Sequence, residues 1–279
     1  MGTVYLNAAC AAKTLGAVKD PSFIDLIGKN AGAYYLGSIA EELLCFFDCF
    51  SKEENTFVRG IASELKSEGV PLFNKMKNYI GKAPAPERDV LKAYLAGMAA
   101  DYACDYRTSG YLATIMPSGG TRSEMNEAAV KLDCCVMKEA KELPDLKAAL
   151  EGIGPEGALA IEKMYSDVIN EKRRIIIPDG IIADCLQKLI KALGQKKSLL
   201  PIPRPGKEFC YSPCEDTGDL MNSKHRKWTD TNGDISNFSL PEMMGYAARD
   251  ASKLAVKLLG AADRAIPEEN CEFLFRNLR

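Results

Sequence analysis

The sequence has very little histidine, because His225 is the only one among 279 residues. Tryptophan is equally scarce, with Trp228 alone. Catalytic zinc is held by three protein ligands, usually rich in imidazole, and a cluster of zinc ions needs several such sets. A single histidine therefore excludes a histidine-rich zinc cluster.

The chain also lacks a concentration of basic charge. Its 36 Lys and Arg are balanced by 38 Asp and Glu, and the basic runs Lys196-Lys197 and Lys224–Lys227 are short. Recognition of nucleic-acid phosphates needs a basic patch, so we expect no nucleic-acid partner. No apolar run approaches the roughly 20 residues of a membrane helix, so we expect no membrane span. The N-terminus does not resemble a signal peptide, and these absences together predict a cytoplasmic protein.

Cysteine is abundant but is not arranged in CxxC pairs. The ten cysteines are scattered, which excludes the spacing of a zinc ribbon. We interpret most of them as small buried thiols of a reducing compartment. Cys210 and Cys214 are the one pair for which a disulfide would not be surprising. A cysteine enzyme using His225 stays open, although no sequence signature surrounds any cysteine.

Apolar residues at three- and four-residue spacing dominate the chain and predict helices. The predicted segments are 5–19, 21–30, 33–50, 55–80, 87–107, 122–140, 145–151, 155–172, 178–194 and 240–264. Alternating patterns are rare, and 174–178 is the best strand candidate. The pattern predicts a single all-α domain over 1–279, with roughly eight to ten helices.

The stretch 195–239 is different, because it is rich in Pro, Gly, Lys and polar residues. We expect a long irregular segment that crosses the outside of the bundle, and such segments are often functional. Within it, Asp230–Glu242 begins like a calcium-binding loop. Ile235 stands where that loop needs Gly and Pro241 where it needs Glu, so we predict a turn after Trp228 instead.

The segment Ala93–Leu112 reads AYLAGMAADYACDYRTSGYL. It resembles the metal-binding helix of the zinc-dependent phospholipase C family, in which two histidines flank an aspartate. Asp101 and Ser109 stand in the places of those histidines. The residues that match the family pattern are Gly97, Tyr102, Asp105 and Tyr111.

Two further segments are similar to motifs of the same family. Tyr34–Glu42 resembles a glycine-containing turn that ends in a metal-binding aspartate, and Glu42 lies where that aspartate would be. Leu220–Ala248 is similar to the C-terminal family pattern. Its matching residues are Asn222, His225, Trp228, Gly233 and Phe238.

The resemblance implies an all-helical fold with a cleft that holds zinc ions, commonly three, and cleaves phosphodiesters. It also implies that most of the zinc ligands are replaced here. The carboxylates left as metal ligands are Glu42, Asp101 and Asp105. The other positions implied to line the former cleft are Asn7, Arg59, Ser109, Met125 and Ala129. An all-oxygen site suits one hard divalent cation, such as magnesium, calcium or manganese, rather than a zinc cluster.

Two functions follow as expectations. The first is a degenerate phospholipase C-like protein without zinc catalysis and without a cofactor, which acts as a binding or interaction module for a small molecule or a protein. Its inward carboxylates would then be satisfied by Arg59, Arg107 or water. The alternative is a phosphoester hydrolase that uses the reduced carboxylate site with one divalent cation.

Overall fold

The computed structural model describes residues 3–47, 70–117, 119–173, 178–195, 209–230 and 232–260. In this part of the chain, strand is confined to two segments of two residues, and helix dominates. The helices are α1 (Val4–Ala17), α2 (Pro21–Lys29), α3 (Ala31–Gly37), α4 (Ala40–Leu43), α5 (Val70–Lys82), α6 (Ala85–Ile115), α7 (Arg122–Glu139), α8 (Leu146–Glu151), α9 (Gly154–Arg173), α10 (Ile181–Leu193) and α11 (Leu240–Leu259), with a 3-10 turn at Leu44–Phe46. The predicted all-α class is confirmed.

Several helix starts follow directly from local sequence. The Asp20 carboxylate accepts hydrogen bonds from the Ser22 and Phe23 amides, and Pro21 occupies the first turn of α2. α11 begins with a capping box. The Ser239 side chain accepts a hydrogen bond from the Glu242 amide, and the Glu242 carboxylate accepts one from the Ser239 amide. These contacts explain why the predicted starts at Asp20-Pro21 and Leu240-Pro241 match the structure.

Helix α6, with 31 residues, lies at the centre of the described fold. It packs against α1, α3, α5, α9 and α11, and their buried side chains form one apolar core. Its fully buried alanines are Ala93, Ala96, Ala99, Ala100 and Ala103. Such small side chains let neighbouring helices approach closely. None of the described helices combines the length and apolar character needed to cross a membrane.

Two predicted helix boundaries are wrong, for identifiable reasons. Helix α6 continues past 107 to Ile115, and the buried Thr108 hydroxyl is satisfied inside the helix by the Cys104 carbonyl one turn earlier. The predicted helix 33–50 is broken at Ser38, whose hydroxyl bonds to the Tyr35 carbonyl. There α3 ends, and a turn leads into α4.

The segment 195–239 is irregular in its described parts, as predicted, but it is not confined to the outside of the bundle. Phe209 and Met221 are buried in the core. A small antiparallel hairpin pairs β1 (Trp228–Thr229) with β2 (Ile235–Ser236). Its turn is closed by the Asp230 carboxylate, which accepts hydrogen bonds from the Asn232 and Asp234 amides. The strand predicted at 174–178 falls almost entirely outside the described residues.

Candidate functional site

Three residues implied to line the former cleft meet inside the protein. The Asn7 amide nitrogen lies 2.7 Å from Asp101 Oδ1 and 3.3 Å from Glu42 Oε2. Their exposed fractions are 2% for Asn7, 6% for Glu42 and 1% for Asp101. One amide on α1 therefore joins carboxyl groups from α4 and α6. We call these three residues the Asn7 cluster.

A close crossing of α3 and α6 positions the Asn7 cluster. A methyl group added at Gly97 would lie 2.0 Å from the Tyr34 carbonyl oxygen, and one added at Gly37 would lie 2.0 Å from the Tyr94 carbonyl oxygen. Only glycine fits at either position, because both obstacles are backbone atoms. Glu42 follows Gly37 by five residues and Asp101 follows Gly97 by one helical turn, so the crossing sets both carboxyl groups near α1.

In the Asn7 cluster, the uncharged Asn7 amide donates hydrogen bonds to two carboxyl groups, those of Glu42 and Asp101. Buried carboxyl groups close to one another repel when ionised, and an amide N–H offsets part of that repulsion without adding charge. Among the described residues, no group of three or more His, Cys, Asp or Glu side chains is arranged to hold a metal ion. The geometry therefore provides an internal hydrogen-bond network that joins Asn7 to two carboxyl groups.

The other implied cleft residues lie elsewhere. Asp105 follows Asp101 by one turn of α6 and is half-buried, whereas Ser109 is exposed. On α7, Met125 is half-buried and Ala129 is buried, and neither side chain carries an oxygen or nitrogen ligand. Arg59 falls outside the described residues.

Of the alternatives Arg59, Arg107 and water, Arg107 is not the partner of the inward carboxyl groups. Its guanidinium pairs with Asp250 of α11 at 2.6 Å, and it also lies over the Tyr106 and Tyr246 rings. Arg107 is exposed, whereas its neighbour Tyr106 is half-buried, because successive helical positions are about 100° apart. The Arg107–Asp250 ion pair therefore links the outer faces of α6 and α11.

Two thiols lie beside the Asn7 cluster, on the same two helices. Cys10 of α1 and Cys104 of α6 are both fully buried. The contact with Cys10, together with burial, raises the pKa of the Cys104 thiol well above its usual value. A thiol that stays protonated is a poor nucleophile. His225 contacts the Asn237 carbonyl oxygen and Glu242 instead of a thiol. Neither the Cys10–Cys104 contact nor the contacts of His225 therefore support a cysteine enzyme.

A buried acid that sequence reasoning gave no role caps the start of α1. Asp133 of α7 accepts a hydrogen bond from the Leu6 amide at 2.9 Å, across 127 residues of sequence. Burial raises the pKa of Asp133 to about 7, although bonds from the Leu6, Tyr5 and Val4 amides oppose the shift. Among the described residues, its second oxygen, Oδ2, has no hydrogen-bond partner. No local sequence signal marks such a cap, because the donor and acceptor lie on different helices.

Asn222, which belongs to the C-terminal motif, organises the loop before α11. Its side-chain amide donates to the carbonyls of Arg226 and Phe238 at 3.0 Å each, and its oxygen accepts from the Arg226 amide at 2.9 Å. The residue has a left-handed φ of 49°, which asparagine tolerates better than most residues. Trp228 packs on Tyr111, with ring centroids 5.4 Å apart. These matched residues therefore build structure, whereas His225 is half-exposed at the edge of the loop.

An open depression lies away from the Asn7 cluster. It has a volume of about 690 Å³ and is lined by residues that include Tyr79, Lys163 and Asp179. The Glu162 carboxylate at its wall is already engaged, because it accepts hydrogen bonds from the Gly180 amide at 2.8 Å and the Ile182 amide at 3.1 Å. We attach no chemistry to it.

Cys210 and Cys214, the one pair for which a disulfide would not be surprising, have different neighbours. Cys210 and Cys214 are free thiols, and the Cys210 sulfur lies 3.7 Å from the Gln195 carbonyl oxygen. The neighbour of Cys214 is Cys135.

Comparisons with protein-family models, with curated proteins and with solved structures find no match for the chain. The similarity to the zinc-dependent phospholipase C family rests on its sequence motifs.

Proposed function

We propose that this protein is a degenerate scaffold of the zinc-dependent phospholipase C type, which acts by binding rather than by catalysis. The observation that carries the proposal is the Asn7 amide, which donates to both Asp101 and Glu42. Asn7 is the nearest match to a metal-binding histidine of the family, and Asp101 replaces another. An internal hydrogen bond thus stands where the resemblance implies metal coordination.

The energetics favour a structural role for this network. Buried polar groups are costly unless they are hydrogen-bonded, and the Asn7 amide supplies a hydrogen bond to each of its two carboxyl partners. The two family glycines, Gly37 and Gly97, retain a packing role at the α3–α6 crossing that needs no metal. Conversion of a metal site into such a network retains the fold and removes the activated water on which zinc hydrolases depend.

The alternative is a phosphoester hydrolase with one hard divalent cation. It is favoured by the convergence of Glu42 and Asp101 on a single nitrogen atom, because this brings carboxyl oxygens close together. Rotation of the Asn7 amide would present its oxygen instead of its nitrogen. The three side chains would then offer an all-oxygen site of the kind that magnesium, manganese or calcium prefers.

An activity assay separates the two functions. The substrates are bis(p-nitrophenyl) phosphate and phosphatidylcholine vesicles, each tested with added magnesium, manganese, calcium or zinc. The variants are Asp101→Asn and, as a matched control on the same helix, Asp89→Asn, which removes a carboxylate that is 60% exposed.

The binding proposal predicts that wild type and both variants give no turnover above buffer with any cation. Cation-dependent turnover that is present in wild type and Asp89→Asn and lost in Asp101→Asn would establish the hydrolase instead.

A further inference from the structure

Residues 209–216, which we call the strap, hold three parts of the fold together. Phe209 packs on Phe46 of the 3-10 turn, with ring centroids 5.5 Å apart. Tyr211 packs on Tyr5 of α1, with ring centroids 5.1 Å apart. Tyr5 precedes Asn7 by two residues, so the strap lies next to the start of the helix that carries the Asn7 cluster.

The strap is held in register on α7. The Cys214 amide donates to the Cys134 carbonyl at 3.1 Å, and the Ser212 amide donates to the Cys134 sulfur at 3.2 Å. One residue beyond Cys214, the Glu215 carboxylate pairs with Lys138 of α7 at 2.6 Å. These bonds fix Cys214 opposite the next residue of α7, Cys135.

The Cys135 and Cys214 sulfur atoms are 3.8 Å apart, although the two residues are separated by 79 positions in sequence. The S–S bond of a disulfide is about 2.05 Å long. The two sulfur atoms must therefore approach each other by about 1.75 Å, and rotation of the two side chains is the motion we infer for this. Cys135 is buried, whereas Cys214 is half-buried at the edge of the strap. We propose that Cys135 and Cys214 form a reversible disulfide that locks the strap onto α7.

The chemistry is thiol–disulfide exchange with a small disulfide such as oxidised glutathione. The Cys214 thiolate attacks one glutathione sulfur, the glutathione S–S bond breaks, and one glutathione leaves and takes up a proton. Cys135 then gives its proton to solvent and attacks Cys214 Sγ, which expels the second glutathione. Two protein thiols are oxidised, and one glutathione disulfide is reduced to two thiols.

The order of attack follows from the environments of the two sulfurs. Burial and the contact with Cys214 raise the pKa of Cys135 to about 12, so Cys135 is a poor first nucleophile. Cys214 lies over it and is the sulfur that an oxidant reaches. By contrast, Cys10 and Cys104 are both fully buried, so an oxidant does not reach either thiol in the folded protein.

The test is peptide mapping by mass spectrometry without reductant, after equilibration of the folded protein with reduced and oxidised glutathione and alkylation of the remaining thiols. Wild type and Cys210→Ser, which removes a neighbouring cysteine of the strap, should both yield a linked pair of peptides containing Cys135 and Cys214. Cys135→Ser should stop at a mixed disulfide of glutathione on Cys214. In Cys214→Ser, Cys135 should remain a thiol, because the strap still covers it.

Hydrogen exchange of the strap supplies the second readout. Amides of 209–216 should exchange more slowly in oxidised than in reduced wild type, and Cys214→Ser should show no such change. A Cys210–Cys214 link, a link through any other cysteine, arrest of wild type at the mixed disulfide, or equal exchange in both forms would overturn the proposal. Fragmentation of the linked peptides separates Cys135 from the adjacent Cys134, and Cys214 from Cys210. Wild type and Cys214→Ser therefore decide the proposal even where the buried Cys135→Ser variant does not fold.

Discussion

Gly37 of α3 and Gly97 of α6 face each other where the two helices cross. A methyl group on Gly97 would lie 3.0 Å from the Gly37 carbonyl carbon and 2.8 Å from the Ser38 nitrogen, in addition to its clash with Tyr34. The two backbones therefore touch directly. This contact holds α4 and the central turn of α6 beside α1, and it accounts physically for two glycines of the family-like motifs.

We expect Gly97→Ala to destabilise the fold by about 3 kcal/mol, since the added methyl meets rigid backbone and the helices must separate. The matched control is Gly245→Ala in α11, where a methyl group meets no atom within 4 Å. That control should be neutral or stabilising by up to about 1 kcal/mol, because alanine favours helix. Urea unfolding followed by circular dichroism measures both. Equal stability of Gly97→Ala and wild type would refute the close crossing.

Loss of the Asn7 amide should weaken the fold. We expect Asn7→Ala to lower the free energy of unfolding by roughly 2 kcal/mol, because two buried carboxyl groups lose a donor. Asn7→Asp should be worse at neutral pH, where a third acid repels the other two. The exposed Asn237 is the control, and Asn237→Ala should change stability by less than about 0.5 kcal/mol. Indistinguishable urea midpoints for the two alanine variants would remove the structural role of the Asn7 cluster.

Asp133 should make stability depend on pH. Its pKa is about 7 in the folded protein against an ordinary value of 3.8. Below about pH 4 the Asp133 carboxyl is protonated in both the folded and the unfolded protein. Between about pH 4 and pH 7 only the folded protein keeps the proton. Stability from this group is therefore present at low pH, is lost as the pH rises towards 7, and stays level above it.

Asp133→Asn removes this titration and keeps an oxygen to cap α1. Between about pH 5 and pH 8, the stability of the variant should rise relative to wild type by roughly 2–3 kcal/mol. Asp20→Asn, at the exposed cap of α2, should show no relative change over that range, because the pKa of Asp20 is lowered by its bonds to Ser22. Guanidinium unfolding at several pH values gives the comparison. A constant difference between Asp133→Asn and wild type would contradict the buried, protonated acid.

The loop around Trp228 should depend on Asn222. Asn222→Ala removes the hydrogen bonds of the side chain to the Arg226 and Phe238 carbonyls and from the Arg226 amide, and it places alanine at a φ of 49°. We expect the fluorescence of Trp228, the single tryptophan, to shift to longer wavelength as its ring leaves Tyr111. His225→Asn keeps a residue that tolerates a positive φ and should leave the spectrum unchanged. An unshifted spectrum for Asn222→Ala would show that another contact holds the loop.

Apolar spacing and capping residues were sufficient to predict the helices and several of their starts, because these depend on neighbours within a few positions. The end of α6 is predicted too early, because polar residues follow 107 and the sequence does not show that the Thr108 hydroxyl is satisfied inside the helix by the Cys104 carbonyl. The contact of Asn7 with Asp101 spans 94 residues, and it was suggested by the family-like motifs rather than by periodicity.

The Asp133 cap and the Cys135–Cys214 contact span 127 and 79 residues. No local pattern encodes either of them, because each depends on how separate elements pack. Cys210 and Cys214 illustrate why. Two cysteines four positions apart suggest a pair, but the strap runs along α7 and turns Cys214 towards Cys135.

The central claim is that the Asn7 cluster is an internal hydrogen-bond network and not a metal centre. Its most direct test is elemental analysis of purified wild-type protein after dialysis, with Asp101→Asn analysed in parallel because Asp101 belongs to the Asn7 cluster. We predict well below one equivalent of zinc, magnesium, manganese or calcium in both proteins. Stoichiometric metal in wild type that is lost in Asp101→Asn would contradict the account.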